Sequence, residues 1–361
     1  MNTESPQPLV APGLAECGWR DNLPAAIACV GAAGRVARVI EQHRSGYKVT
    51  DGEIEFAVQS PSHWVKKSLM PEERATVGDW VLLDPAHDRI ERLLPRQSLL
   101  RRAAAGEHYK QQLIAANIDT VLVVAGLDGD FNPRRLERYV AMIGASGARP
   151  VIVLTKVDLQ VQDAEAALAA LSQLDAEVLR VNAREATARE ALQPWLKPGQ
   201  TLVLVGSSGA GKSTLTNTLL GHERQKTGAV RGSDGRGRHT TTYRSLLALP
   251  SGACLIDTPG MRELKLTGEE ELEDAGFADI EALAGDCKFR DCRHDREPGC
   301  AIRAALDSGD LDPRRWEQFL KLGTELGQAR VSLAQQLERR AEDRRLGKAL
   351  NKRLVDKYGR R

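Results

Sequence analysis

The segment GSSGAGKS at residues 206–213 has the glycines and the side chains of a phosphate-binding loop. It fits the pattern G-x-x-x-x-G-K-[ST] in full, in which glycines let backbone N–H groups turn inward toward phosphate oxygens. Lys212 would reach the β- and γ-phosphates, and Ser213 would ligate Mg²⁺. An apolar run at Thr201–Val205 predicts a strand before the loop, and residues 212–220 predict a helix after it. This setting favours a phosphate site over a chance glycine turn.

A second motif, Asp257-Thr258-Pro259-Gly260, follows an apolar run that predicts a strand at residues 253–256. An aspartate at the end of a buried strand downstream of a phosphate loop is placed to hold Mg²⁺. The Gly260 N–H could approach the γ-phosphate. Alone, this tetrapeptide is compatible with an ordinary turn, but together with the phosphate loop it indicates a nucleoside triphosphatase.

The tetrapeptide Thr155-Lys156-Val157-Asp158 indicates which base is bound, because it resembles the N/T-K-x-D motif of GTPases. Asp158 can accept hydrogen bonds from guanine N1–H and N2–H, whereas adenine would leave the carboxylate unpaired. The Lys156 stem would cover the base. Thr155 stands where Asn is commoner, so we expect a weaker hydrogen bond to the nucleotide loop. As a bare tetrapeptide the motif is a weak signal.

A further pair, Asn182-Ala183, follows a predicted strand and resembles the last GTPase motif, with the Ala183 N–H meeting guanine O6. The base motifs therefore precede the phosphate loop, whereas ordinary GTPases have the reverse order, so the sequence predicts a circular permutation. The permutation leaves the site intact, because open α/β sheets bind ligands at the carboxyl ends of their strands. The predicted nucleotide-binding residues are Thr155, Lys156, Asp158, Asn182, Ala183, Gly206, Ser207, Ser208, Gly209, Ala210, Gly211, Lys212, Ser213, Thr214, Asp257 and Gly260.

A Gly/Arg-rich stretch from Gly228 leads to the sequence GRHTTT at residues 237–242, where a switch loop would lie. We expect Thr241, or alternatively Thr240, to complete the Mg²⁺ shell with Ser213 and Asp257. A plain surface loop is the other interpretation. Met261 stands where a water-orienting Gln is common, so hydrolysis should be slow until another group acts, and His239 is the nearest candidate. The predicted catalytic residues are His239, Lys212 and Thr241.

Cys287, Cys292, His294 and Cys300 lie within fourteen positions. Three thiolates and one imidazole suit a closed tetrahedral Zn²⁺ site, structural rather than catalytic. Few apolar residues surround the cluster, so the metal would supply much of its folding energy. Unrelated free thiols are the alternative. The other three cysteines are expected to be ordinary thiols. This cysteine usage predicts a reducing, cytoplasmic location, and we expect no signal peptide or membrane span.

The elements that must position these motifs divide the chain into four segments. Residues 1–33, rich in Pro, Ala and Gly, predict a flexible extension. Residues 34–97 contain five short β-like runs, which favour a barrel of the oligonucleotide/oligosaccharide-binding (OB) type or another small sheet. Residues 98–277 alternate apolar strands with helices, which predicts an α/β domain with a parallel sheet covered by helices on both faces. Residues 278–361 predict a helical zinc domain with a basic tail.

The charge is distributed unevenly along the 361 residues. The whole chain has a net charge of only +2, from 51 Lys and Arg against 49 Asp and Glu. From residue 330 onward, eleven basic residues face four acidic ones, which leaves the remainder acidic. A basic tail on an acidic body suits either phosphate contacts on RNA or a solvated helix. Aromatic residues make up only 4% of the chain, which argues against large base-stacking platforms.

These motifs together resemble the RsgA/YjeQ family of circularly permuted GTPases, from about residue 34 to the C-terminus. The most specific segments are residues 206–213, 238–242 and 257–260, with CKFRDCRH at 287–294 and EPGC at 297–300. The resemblance implies an OB barrel, a permuted GTPase domain and a zinc domain. It also implies a cytoplasmic, monomeric enzyme that binds GTP with Mg²⁺, assists late maturation of the small ribosomal subunit and its rRNA, and is stimulated by the ribosome.

Two other functions stay open from the residues alone. One is a stand-alone GTPase or ATPase that acts on another partner. The other is an RNA-binding module that uses nucleotide only to set its shape. Base selectivity and the effect of replacing Lys212 distinguish them from a ribosome-linked GTPase.

Overall fold

The computed structural model describes residues 10–20, 34–43, 46–65, 69–84, 86, 88–103, 111–159, 163–224, 244–258 and 277–358. Its strands are β1 Arg35–Gln42, β2 Tyr47–Thr50, β3 Glu55–Val58, β4 Trp80–Leu83, β5 Ile90–Leu93, β6 Leu99–Ala103, β7 Gln111–Ala116, β8 Thr120–Gly126, β9 Arg149–Thr155, β10 Glu177–Arg180, β11 Thr201–Val205, β12 Ser245–Ala248 and β13 Cys254–Asp257. Its α-helices are α1 Pro133–Gly144, α2 Ala164–Leu171, α3 Thr187–Ala191, α4 Lys212–Leu220, α5 Ala278–Gly285, α6 Ala301–Ser308 and α7 Pro313–Tyr358.

The first five strands form a small antiparallel barrel, at the five runs that the sequence predicts. β1 pairs with β2 and β4, β2 pairs with β3, and β4 pairs with β5. A bridge between Gln59 and Arg89 joins the β3 and β5 ends and closes the ring. Apolar side chains from alternate positions fill its interior, among them Val39, Val49 and Val81. The five-stranded barrel is thus observed, while oligonucleotide binding stays a prediction.

Residues 10–20 differ from the predicted flexible extension, because they pack against the outside of this barrel. Pro12–Ala15 form a 3₁₀ turn in which Leu14 is fully buried. Trp19 meets Trp80 edge to face, with ring centroids 4.8 Å apart. Arg20 reaches the next domain through a 2.6 Å ion pair with Asp119. Burial of Leu14 and partial burial of Trp19 supply the free energy that orders this segment.

The second domain is built on a six-strand section of the main sheet, in the order β10-β9-β8-β11-β13-β12. The first five strands are parallel, and β12, which the sequence did not predict, is antiparallel to β13 and connects this section to β1 of the barrel. α1 and α2 contribute to the core on one face, and α3 and α4 to the core on the other. The prediction of a sheet covered on both faces is therefore confirmed, with one antiparallel strand added.

The β6–β7 hairpin, which follows the barrel strands and precedes β8 of the parallel sheet, was not predicted from the sequence. α3 is short and ends at Ala191, because Pro194 lies in a separate 3₁₀ turn, Gln193–Trp195. α5, α6 and α7 form the C-terminal region, and their residues Ile280, Ile302 and Leu322 join the core that covers the first face of the sheet. The helices of the described segments are each too short or too polar to traverse a bilayer.

Candidate functional site

The phosphate loop connects β11 to α4, as the sequence predicts. Gly206 has φ +141°, and a Cβ built on it would lie 2.1 Å from the Val124 carbonyl oxygen of β8. Gly211 caps α4 with φ +97°. Residues with a side chain rarely adopt these backbone conformations, so both positions require glycine where the backbone turns into the helix. The N-terminus of α4 therefore points its free N–H groups into the loop.

Lys212, the first residue of α4, folds back over this loop. Its ammonium group donates hydrogen bonds to the carbonyl oxygens of Gly206 at 2.7 Å and Ser207 at 2.6 Å. Burial lowers the pKa of Lys212 to about 8. The ammonium group thus lies among backbone carbonyl oxygens inside the loop. A bound phosphate would give it a negatively charged partner there.

Thr155 connects the base motif to the phosphate loop. It ends β9, is fully buried, and its hydroxyl donates a 2.6 Å hydrogen bond to the Ala210 carbonyl oxygen. A second contact of 3.3 Å reaches the Ala125 carbonyl oxygen on β8. The residue that we expected to weaken this connection therefore makes a short, direct hydrogen bond to the loop.

The rest of the base motif lies at the same edge of the sheet. Lys156 has a left-handed backbone with φ 60°, which is uncommon for a residue with a side chain. Asp158 follows in a short 3₁₀ turn, Val157–Leu159, and is exposed. An exposed carboxylate beside the carboxyl end of β9 is accessible to a base bound there. Its predicted contact with guanine stays a prediction.

The second predicted base motif lies next to α4. Asn182 donates a 2.7 Å hydrogen bond to Glu185, and its own oxygen accepts one from the Arg184 N–H at 3.2 Å. The Ala183 carbonyl oxygen accepts a 2.6 Å hydrogen bond from the Thr218 hydroxyl. Because Thr218 lies on α4, the phosphate-loop helix supports the turn whose Ala183 N–H is predicted to meet the base. Thr218 was not predicted from the sequence.

Two of the predicted Mg²⁺ ligands lie at neighbouring strands. Ser213 is in the first turn of α4, and Asp257 ends β13, which pairs with β11. A hydroxyl and a carboxylate oxygen are ligands of the type that Mg²⁺ takes. Thr258 donates a 3.3 Å hydrogen bond to the Leu204 carbonyl oxygen, which holds the start of this motif against β11. His239, Thr240, Thr241, Gly260 and Met261 lie outside the described residues.

Two aspartates that the sequence analysis missed lie between the base motif and the phosphate loop. They belong to the loop after β8, the strand that separates β9 from β11. Asp128 forms an ion pair with Lys156. Burial acts to raise the pKa of Asp130, but hydrogen bonds from Ser207 and Arg135 and two positive charges outweigh it and lower that pKa. An Asp-x-Asp spacing at the end of a buried strand was the available signal.

The predicted metal cluster is brought together in the C-terminal region. One ligand atom from each of Cys287, Cys292, His294 and Cys300 lies within 4.8 Å of the others. His294 Nδ1 is 3.5 Å from the sulfur atoms of Cys287 and Cys300, and those sulfurs are 4.0 Å apart. Tetrahedral zinc would set about 3.5 Å between nitrogen and sulfur and about 3.8 Å between sulfurs. The donor set and its spacing therefore fit a closed zinc site.

The polypeptide around the cluster is held by local polar contacts. Cys300 caps the N-terminus of α6, where its sulfur accepts the Arg303 N–H at 3.5 Å. Glu297 accepts backbone N–H groups from Arg293, Asp295 and Arg296 at 2.9–3.1 Å. These contacts orient the ligands but bury little apolar surface, so a metal ion would be the main source of stability.

One aromatic stack connects the cluster to the rest of the protein. Trp316 on α7 meets His294 edge to face at 5.5 Å and stacks on Phe319 at 5.4 Å. Phe319 in turn contacts Phe277 at 5.8 Å. Phe277 is fully buried in the core beneath the parallel sheet. The position of His294 is thereby tied to the core of the second domain.

Comparison with known proteins identifies the family. A family model described as RsgA GTPase matches residues 93–267. A protein of Xanthomonas axonopodis pv. citri (strain 306), named small ribosomal subunit biogenesis GTPase RsgA, is 56% identical over 330 residues, covering 90% of this chain and 89% of that protein. A Xylella fastidiosa (strain M23) protein of the same name is 61% identical over 296 residues, covering 81% of this chain and 88% of that one.

Two solved structures share the fold. YjeQ from Thermotoga maritima superposes with a TM-score of 0.58 at 24% identity, covering 81% of this chain and 98% of its own. YloQ, described as a circularly permuted GTPase, gives 0.55 at 22% identity, covering 81% and 95%. The permuted order of motifs, the nucleotide loops and the sequence identity agree: the chain belongs to the RsgA GTPase family.

Proposed function

We propose that this protein is a GTPase that acts in biogenesis of the small ribosomal subunit. The observation that carries the proposal is the 2.6 Å hydrogen bond from Thr155 to Ala210, which joins a guanine motif to a phosphate loop at one edge of the sheet. Two relatives, 56% and 61% identical, are named small ribosomal subunit biogenesis GTPases. The proposed reaction converts GTP to GDP and phosphate.

In the proposed complex, Asp158 accepts the guanine N1–H and N2–H, and the Ala183 N–H donates to O6. The N–H groups of residues 206–214 surround the phosphates, and Lys212 neutralises the β- and γ-oxygens. Bound Mg²⁺ would stabilise negative charge on the β- and γ-phosphates. Ser213, Asp257 and Thr241 are the proposed residues that hold it. Two features of the described residues support these roles: the segments after β9, β11 and β13 lie at the carboxyl ends of parallel strands, and their donor types suit each group.

Hydrolysis itself needs a group that orients water. We propose His239 for this role, because Met261 beside the Asp257–Gly260 motif cannot polarise water. A His239→Ala variant should retain GTP binding and lose ribosome-stimulated hydrolysis. Loss of binding as well would place His239 among the nucleotide contacts instead.

The proposed partner is the small subunit with its rRNA, bound by a monomer in the cytoplasm. The barrel and the basic end of the chain would contact phosphates, and the excess of eleven basic over four acidic residues after residue 329 supports this. Binding through phosphates weakens steeply as salt rises, because counterions are released. Nucleotide state would drive binding and release through the motif at Asp257, which leads directly into the C-terminal region.

The decisive experiment measures GTP hydrolysis with and without purified small subunits, alongside sedimentation in GTP, GDP and a non-hydrolysable analogue. We expect stimulation by small subunits, none by large subunits, and co-sedimentation that depends on the nucleotide. Equal rates with and without subunits would favour a stand-alone GTPase. Wild-type RNA function in Lys212→Ala would favour a binding module.

A further inference from the structure

The ion pair between Asp128 and Lys156 lies at the centre of the nucleotide loops. Asp128 belongs to the loop after β8, and Lys156 to the base motif after β9. Both side chains are about three-quarters buried, with relative exposures of 25% and 24%. We propose that Asp128 is a positioning residue for guanine recognition, which holds the Lys156 side chain where its stem covers the base. This inference rests on the proposed function of the site.

Backbone contacts place Asp128 for this role. The Leu127 N–H donates a 2.9 Å hydrogen bond to the Thr155 carbonyl oxygen, so the aspartate loop is fixed to the residue immediately before Lys156. The Asp130 N–H donates to Asp128 Oδ1 at 3.1 Å, which leaves Oδ2 for the lysine. Gly126 makes room for the carboxylate, since a Cβ there would lie 3.1–3.2 Å from it.

Lys156 requires such a partner for two reasons. Its left-handed backbone with φ 60° is unfavourable for a residue with a side chain, so neighbouring contacts must hold it. A lysine side chain also has many rotamers, and fixing one before the ligand arrives removes that entropic cost from binding. The Asp128 carboxylate therefore raises affinity without touching the nucleotide.

The effect should be the same for GDP and GTP, because both contain the base that Lys156 covers. We expect Asp128→Asn to weaken both nucleotides by about tenfold, the scale of fixing one flexible side chain. The loss should come mainly from faster dissociation. At saturating GTP, ribosome-stimulated turnover should stay within about twofold of wild type.

The test measures the affinities of fluorescent GDP and GTP analogues for the full chain with Mg²⁺. Lys156→Gln removes the same ion pair from its other side, so the double variant should bind no more weakly than Lys156→Gln alone. Additive losses would show that the two residues act independently and would overturn the proposal. Asp175→Asn is the control for loss of one negative charge, since Asp175 is exposed just before β10, at the amino ends of the parallel strands and away from the nucleotide loops.

Asp128→Glu distinguishes the effect of the charge from the effect of side-chain packing. It is also the variant to measure if Asp128→Asn does not fold. It keeps the carboxylate and should retain affinity within about twofold. A tenfold loss for Asp128→Glu, unchanged affinity for Asp128→Asn, or tighter binding by Asp128→Asn would each refute the proposal. If the wild-type protein binds no guanine nucleotide, the proposed function fails, and the positioning role, which rests on it, is refuted with it.

Discussion

The nucleotide loops and the metal cluster are both formed from short motifs, but different forces hold them. The phosphate loop extends from β11, which is buried throughout, and the base motif from β9, whose last five residues are buried; neighbouring strands fix the ends of both. The metal cluster lies in an irregular segment between α5 and α6. Of its four ligands, only Cys300 is buried. The first site is shaped by the hydrophobic core, and the second depends on its ion.

This difference separates stability from activity. The polar side chains that would meet the nucleotide, such as the exposed Asp158 and the half-buried Ser213, lie outside the core that positions them, so replacing them should change binding and catalysis while the fold is retained. The metal ligands are themselves the contacts that hold their segment together. Replacing one should therefore unfold that segment, whatever it does to activity.

The largest expected effect is loss of the metal. Chelation, or Cys300→Ser, should unfold the segment around residues 287–300, because a structural zinc site contributes about 10 kcal/mol or more of folding free energy. The parallel sheet should remain folded. Fluorescence should report the change, since Trp316 contacts the ligand His294 at 5.5 Å.

Cys17→Ser is the matched control for this experiment, since Cys17 is half-buried against the barrel and is not one of the four clustered ligands. Its zinc content should equal that of wild type, measured by metal analysis. Full retention of zinc and of the Trp316 signal by Cys300→Ser would contradict the difference drawn between the two sites. The segment would then not depend on all four metal ligands.

The next effect is on catalysis without loss of stability. Lys212→Ala should reduce GTP hydrolysis by about 10²- to 10³-fold, the scale for removing one charged donor from a transition state. Its thermal unfolding midpoint should be unchanged or higher, because a buried ammonium with a lowered pKa is removed. Hydrolysis assays and thermal melts on the same preparation test both halves. A large fall in the melting midpoint would mean that Lys212, and not the sheet alone, stabilises the loop.

A smaller effect is expected at the contact between the two nucleotide loops. Thr155→Val keeps the shape but leaves the buried Ala210 carbonyl without its 2.6 Å partner, at a cost of about 1–3 kcal/mol. The phosphate loop should shift, and GDP and GTP should bind up to about tenfold more weakly. Thr155→Asn, which restores a donor, is the control, and titration with labelled nucleotide is the measurement. Wild-type affinity for Thr155→Val would show that the strands alone set the loop.

The same contrast explains how much the sequence predicted. Local motifs at the ends of apolar strands are visible as patterns, and so the nucleotide strands and the four metal ligands were predicted. The role of Arg38 was not predicted. Its buried guanidinium group donates hydrogen bonds to Gly78 at 3.3 Å, Asn117 at 3.2 Å and Thr201 at 2.9 Å, as well as to Cys17. Its partners come from distant parts of the chain, and no local pattern identifies them.

The N-terminal segment and β12 were missed for a related reason. Residues 10–20 have no period of their own, and Leu14 is buried only because the barrel presents Val36 and Leu82 to it. β12 is a four-residue strand between β13 and the barrel, and it pairs with β1 at one position, Glu41 with Ser245. The contact of Asp128 is likewise with a residue after another strand, Lys156. Tertiary contacts determine these features, and single-sequence patterns do not contain them.

The smallest effect concerns pH and acts on the nucleotide loops alone. Because Lys212 has a pKa of about 8, its amine is protonated below that pH in both the free and the bound protein. Above pH 8 the free amine is neutral, and phosphate binding requires it to take up a proton. The dissociation constant for GDP should therefore rise toward tenfold per pH unit above 8, while the zinc content is unaffected.

Folding stability should change in the opposite direction over the same range. In the unfolded chain Lys212 stays protonated up to its ordinary pKa of 10.5, so this residue makes the free energy of unfolding rise with pH between about 8 and 10.5. GDP titrations of wild type and Lys212→Ala from pH 7 to 9 isolate the residue, since titration of guanine itself is common to both. Parallel curves for the two proteins would show that the amine stays charged inside the loop, and that the carbonyl oxygens of Gly206 and Ser207 are enough to keep it so.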